Sequence, residues 1–216
     1  MNRRDFAAQF ALTGLGTAAL VAVGTPVLAQ GGPVEGKQYT RIDPPVAPIM
    51  PGKIEVIEFF SYACPHCNAF EPTVEAWSKK LPADVNFHRV PVPFLMNFEN
   101  LMKTYYALDS MGLVGQMQRK VFAAIHIDHN TLEKPADITA LMARNGVDAA
   151  KFTAAFNSFS VASSITRAKK LFASYKIDGV PTLVVQGRYE TSPGLAGGFD
   201  ETFSVVDFLV QRARKG

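Results

Sequence analysis

Ile54-Glu55-Val56-Ile57-Glu58-Phe59-Phe60-Ser61-Tyr62-Ala63-Cys64-Pro65-His66-Cys67 carries the decisive pattern in this chain. Cys64 and Cys67 are its only cysteines, so each can react with the other or with a sulfur of another molecule. Ahead of them Ile54, Val56, Ile57, Phe59 and Phe60 are apolar on both faces over a short run, the pattern of a central strand. Behind them Phe70, Val74, Trp77 and Leu81 recur at three- and four-residue spacing, which predicts a helix from Pro65 to about Lys80. Pro65 is tolerated in the first turn, where the N–H it lacks would be unpaired. Cys64 then stands at a helix N-terminus, where free N–H groups and the helix dipole favour the thiolate that attacks or leaves in disulfide exchange. Cys64 is expected to be the exposed, reactive sulfur, and Cys67, a turn inward, the shielded resolving one. A protonated His66 would add a cation beside Cys64.

A second strand is read over Val85 to Val92, after the break at Pro82. From Glu99 to Phe172 the pattern is helical in several segments. Leu101, Tyr105 and Leu108 form a stripe closed by Gly112, and Val114, Met117, Val121 and Ile125 form the next. Pro135 opens a third with Ile138, Leu141 and Met142, which Asn145-Gly146 stops. Asp148 caps a fourth with Phe152 and Phe156, and Ile165, Leu171, Phe172 and Tyr175 mark a longer last one. Strand character returns at Thr182 to Val185, and Gly187-Arg188-Tyr189 turns into a hairpin partner. Phe203, Val206, Leu209 and Val210 define a closing helix from Phe199 to Arg214. This order predicts a mixed sheet with a helical insertion in its middle crossover.

Upstream, residues 30–52 hold Gly31-Gly32, Pro33, Pro44-Pro45, Pro48 and Pro51, which suits an extended arm more than an element of its own. Residues 1–29 read as a cleavable export signal: Arg3 and Arg4, then a weakly apolar stretch from Phe10 to Val23, then Val27-Leu28-Ala29 before the cut. Arg3-Arg4-Asp5-Phe6 resembles a twin-arginine signal without its leading Ser/Thr and following Leu-Lys, and a general secretory signal fits as well. Export implies a compartment where disulfides persist.

At 216 residues, 48% hydrophobic and 19% charged, the chain has a globular composition and enough length for one sizeable core. Its net charge of +3 falls to +2 once Arg3, Arg4 and Asp5 leave with the leader. That is too small to argue for nucleic acid or an anionic membrane.

Gly179-Val180-Pro181-Thr182 stands immediately before a strand. A proline there suggests a cis bond in a tight turn facing the cysteines across the end of the sheet. Taken with Glu58 to Cys67, the helical block and Gly179-Val180-Pro181-Thr182-Leu183, the chain resembles the DsbA family of bacterial periplasmic dithiol oxidases, in the thioredoxin superfamily. The resemblance covers about Tyr39 to the C-terminus. It implies an α/β thioredoxin fold with an inserted all-helical domain. The expected layout is a signal peptide over 1–29, an arm over 30–52, a discontinuous thioredoxin domain over 53–95 and 173–216, and the insertion over 96–172. A low-pKa first cysteine and an oxidising disulfide come with the resemblance as family properties.

Carried onto this sequence, the resemblance implies Cys64 as nucleophile, Cys67 as resolving cysteine, and His66, with Pro65, as the intervening pair that tunes the thiolate. Pro181 becomes the cis-proline and, with Val180, the place where an extended substrate lies. Glu58 becomes a buried proton carrier near Cys67. Glu71 and Arg89 are candidates to complete a charge network beneath the sulfurs. The implied activity is donation of the Cys64–Cys67 disulfide to reduced, unfolded exported proteins in the periplasm. Reoxidation falls to a DsbB-type quinone-linked membrane oxidase, and neither a metal nor an organic cofactor is required. A monomer is expected, with no nucleic-acid partner.

Three other readings stand beside this one. A reductase or isomerase of the same compartment would share the motif, although 30–53 leaves no room for the dimerisation domain that isomerases of the superfamily usually carry. A thioredoxin-fold binding module would capture unfolded chains without turnover. A zinc site would draw His126 and His129 to the cysteines, but the spacing is unlike a compact zinc module, and the two histidines read as an ordinary loop or helix-end pair.

Overall fold

The computed structural model describes residues 31–216, so the expected leader lies outside the described residues. A five-stranded sheet carries the architecture: β1 (Thr40–Arg41), β2 (Ile54–Phe60), β3 (Val85–Pro91), β4 (Thr182–Val185) and β5 (Tyr189–Thr191), ordered β1-β5-β4-β2-β3. β2 runs parallel to β3 and antiparallel to β4, so it is central and covered on both faces, as its two-sided apolar pattern requires. The crossover from β2 to β3 is α1 (Pro65–Ser78), whose first residue is Pro65 and whose N-cap is Cys64.

One face of the sheet packs against α1 and the closing helix, α8 (Phe199–Arg214), which follows the four-residue α7 (Pro193–Ala196). There Phe70 stacks on Phe203, and Trp77 lies against both Phe203 and Phe87. The other face takes Tyr175, whose ring meets Phe59 edge-on at 5.5 Å.

Between β3 and β4 stand five helices: α2 (Phe98–Ser110), α3 (Val114–His126), α4 (Pro135–Arg144), α5 (Ala149–Phe156) and α6 (Phe159–Tyr175). They bury the stripes predicted for them, including Leu101, Tyr105, Met117, Val121, Ile138 and Phe152. Asp148 accepts the Lys151 N–H at 2.9 Å, the cap expected for α5. The insertion meets the sheet through aromatic rings. Phe60 touches Tyr62 and Tyr105, both at 5.2 Å, and Tyr62 touches Phe122 at 5.1 Å, all edge-to-face. Such contacts add about 0.5–1.5 kcal/mol each beyond burial, and here they pin the C-terminal end of β2 against α3.

The arm departs from its reading as a purely extended segment. Thr40 and Arg41 pair with Glu190 and Tyr189, which makes β1 a short edge strand. Farther along, Val46 N–H donates to the Gly187 carbonyl at 2.9 Å. Gly187 has φ +62°, and a Cβ there would run into the Val46 carbonyl, so only glycine fits where the arm crosses the β4–β5 turn. Among the described residues no helix is long and apolar enough to cross a membrane.

Candidate active site

The turn from β2 into α1 is built by Ser61. Its hydroxyl accepts the Ala63 N–H at 3.2 Å and its carbonyl accepts the Cys64 N–H at 3.1 Å. This reversal presents Cys64 as the helix cap, with its sulfur accepting the Cys67 N–H at 3.4 Å. Burial works against ionisation, yet the balance holds the Cys64 pKa down at about 6. The largest cause is the Cys67 thiol bonded to the sulfur, followed on the lowering side by the N–H groups of residues 67 and 66 and then by the His66 charge. His66 itself is exposed. Its cation acts in the expected direction but stands behind the helix-end donors. Cys67 is the opposite case: burial, and then the neighbouring Cys64, push its thiol far up.

One expectation needs correction. Cys64 is a buried residue at 5% exposure, against 1% for Cys67, so it is the more accessible sulfur without being an exposed one. The cover comes from the segment before β4, where the Val180 carbonyl lies 3.4 Å from Cys64 Sγ and accepts from its thiol. The Val180–Pro181 bond is cis, as its place before the strand suggests, and Pro181 is buried while Val180 is half-buried. Beside it an open groove of about 540 Å³ is lined by His66, Val180, Pro181, Pro193, Leu195 and Phe199.

Beneath the sulfurs the structure brings together the three charged residues picked from the sequence. Arg89 on β3 donates from Nε to Glu58 Oε2 at 2.7 Å and from Nη2 to both Glu71 oxygens at 3.0 and 3.2 Å. Register explains the first pair, because Glu58 and Arg89 are direct partners in the β2–β3 ladder and point to one face. Glu71 reaches them from the second turn of α1. Burial raises the proton affinity of both carboxyls against the pull of Arg89, and Glu71 comes to about 7. Each acid's charge also opposes the ionisation of the other across the one guanidinium they face.

Two members of this network escaped the sequence reading. Gln118 Nε2 donates to Glu71 Oε2 at 3.4 Å, and the Tyr62 hydroxyl donates to Gln118 Oε1 at 2.6 Å. The available signal was a polar residue within the apolar stripe of α3, between Met117 and Val121. His126 is not an ordinary helix end either, since its Nε2 lies 2.8 Å from the Tyr62 carbonyl. His129 sits in the loop after α3 with φ +54°. Among the described residues no three His, Cys, Asp or Glu side chains gather as a metal-ligand set.

A family model described as a DSBA-like thioredoxin domain matches residues 75–204. The "Thiol:disulfide interchange protein DsbA" of Pseudomonas aeruginosa is 44% identical over 181 residues, which is 83% of this chain and 85% of that protein. The protein of the same name from Bordetella pertussis is 41% identical over 216 residues, the whole of both chains. The crystal structure of Pseudomonas aeruginosa DsbA superimposes with a TM-score of 0.82 at 43% identity, covering 85% of this chain and 95% of that one.

Proposed function

The chain belongs to the DsbA family of thiol:disulfide interchange proteins, and from that premise we propose that it works as an exported oxidant that hands its Cys64–Cys67 disulfide to reduced, unfolded proteins. It is a thiol:disulfide oxidoreductase of the thioredoxin fold with a helical insertion. The observation that carries the direction of transfer is the difference between its two sulfurs. Each pK unit by which Cys64 lies below an ordinary thiol is worth about 1.4 kcal/mol in favour of the thiolate. Only the reduced protein holds a thiolate, so the disulfide is the less stable form and oxidises others.

The groove beside Val180 and Pro181 receives an extended substrate segment. A substrate thiolate attacks Cys64 Sγ, the Cys64–Cys67 bond breaks, and Cys67 leaves with the electron pair. Because Cys67 ionises with difficulty, it must gain a proton, and Glu58 beneath it is the donor. A second substrate thiolate then attacks the substrate sulfur of the mixed disulfide, and Cys64 leaves as a stable thiolate. The substrate loses two electrons and two protons. One proton ends on Cys67 and the other in solvent. The periplasm is the compartment that suits this chemistry, and a DsbB-type quinone-linked membrane oxidase takes the two electrons back.

Equilibration of the mature protein with glutathione buffers tests the direction. An oxidant stays reduced until the buffer is strongly oxidising. A pair that remains a disulfide in reducing buffer makes the protein a reductase or isomerase. Oxidation of a reduced unfolded substrate by the wild type and not by Cys64→Ala excludes the binding module.

A further inference from the structure

The buried amide of Gln118 joins two groups that come from different parts of the fold. Its residue is 2% exposed, on α3 of the insertion. Its oxygen accepts from Tyr62, at the end of the strand that delivers the cysteines, and its nitrogen faces Glu71 on α1. The Tyr62 hydroxyl fixes which way the amide points. An O–H donor at 2.6 Å claims the oxygen, so the NH₂ is left to the carboxylate.

Glu71 therefore has two cationic or donor partners, Arg89 and Gln118, whereas Glu58 has Arg89 alone among the side-chain bonds found. A hydrogen bond donated to a carboxylate favours its ionised form. Burial and the charges of Glu58 and Glu75 oppose it, and Arg89 and Gln118 are the groups that pull Glu71 back toward the carboxylate. Glu75, a turn further along α1, is itself paired with Lys79 and Arg119, and Tyr105 approaches Arg89 from α2.

We propose that Gln118, oriented by Tyr62, is a positioning residue that keeps Glu71 as the carboxylate partner of Arg89 and so leaves a proton on Glu58. The inference rests on Glu58 being the proton donor to Cys67. It adds that the helical insertion, through one amide, decides which acid is loaded. Glu71 holds the arginine, and Glu58 holds the proton for the leaving sulfur.

The test is a titration of the two carboxyls by ¹³C NMR in the full mature protein, reduced, with labelled glutamate. In Gln118→Met, which keeps length and removes both hydrogen bonds, the Glu71 midpoint should rise by about one unit, a tenfold gain in proton affinity. The Glu58 midpoint should fall in return. Tyr62→Phe, which frees the amide without deleting it, should move both the same way by less, and it serves if the methionine variant folds poorly. The rate at which a substrate thiol opens the disulfide should drop several-fold at neutral pH in Gln118→Met, with its alkaline limb shifted to lower pH. Unmoved carboxyl titrations in both variants would overturn the proposal, even if stability falls. Glu58→Gln separates the two ideas. An undiminished rate in that variant removes Glu58 as donor, while the Glu71 titration still decides the role of Gln118.

Discussion

His126 Nε2 stands 2.8 Å from the carbonyl oxygen of Tyr62, so the last residue of α3 holds the backbone two residues ahead of the reactive cysteine. A carbonyl can only accept, so this nitrogen carries the proton. His126→Phe keeps a ring but strands a buried acceptor. Stability should fall by about 1–3 kcal/mol, read from denaturant midpoints at unchanged slope. His126→Gln, which can still donate, should recover part of the loss, and a phenylalanine variant as stable as the wild type would mean that the ring's packing matters and its hydrogen bond does not.

The two sulfurs should be separable by alkylation. At pH 7 iodoacetamide should modify Cys64 alone, with a half-point for its thiolate absorbance near the value of about 6 set first by the Cys67 thiol and then by the helix-end N–H groups and the His66 charge. Because the Cys67 thiol is the largest of those causes and the His66 charge the smallest, Cys67→Ala should raise the Cys64 midpoint more than His66→Ser. The reverse order would transfer the leading role to the histidine.

Reduction should stabilise the fold in a pH-dependent way. The Cys64 thiol has a lower pKa folded than unfolded, where it lies at about 8.5. Between about pH 6 and pH 8.5 the unfolded chain therefore binds a proton that the folded one has shed, and stability rises with pH. The contribution is complete above that window and lost as pH falls through about 6. Glu71, with its pKa raised to about 7, acts in the opposite sense, but it is present in both redox forms and cancels in their difference. The stability gap between reduced and oxidised protein, from paired denaturant curves, should widen from about pH 5.5 to about pH 8.5. A gap that stays flat would rule out a folded-state thiolate at Cys64.

Arg89→Met should be among the most damaging substitutions outside the cysteines. It leaves Glu58 and Glu71 buried without their cation, a loss of about 3–5 kcal/mol. The deficit should shrink as pH falls through about 7, where Glu71 takes a proton. A pH-independent loss in thermal unfolding would assign the effect to packing.

Much of this arrangement is legible in the sequence because it depends on periodicity. β2, α1 and the stripes of α2 to α5 follow from apolar spacing, and Glu58, Arg89 and Glu71 came with the family resemblance. What escaped depends on tertiary partners. β1 is two residues long and exists because β5 lies beside it. α7 is a single turn that starts at Pro193 and is capped by Ser192. Gln118 and His126 look like ordinary helix residues until the fold sets Tyr62 between them. The sequence placed the Val180–Pro181 turn opposite the cysteines, but not that it covers Cys64, because Val180 reaches the sulfur with a backbone atom that no side-chain pattern encodes.

That backbone atom turns the chemistry of the sulfur into a signal for whatever lies in the groove. The Val180 oxygen accepts from Cys64 only while that sulfur carries a hydrogen. In the disulfide there is no hydrogen to offer, and in the thiolate the sulfur and the oxygen repel. In both states the carbonyl is released from that hydrogen bond and is left as a free acceptor beside the groove. Below about pH 6, where the reduced sulfur regains its proton, the enzyme's own thiol competes for that acceptor.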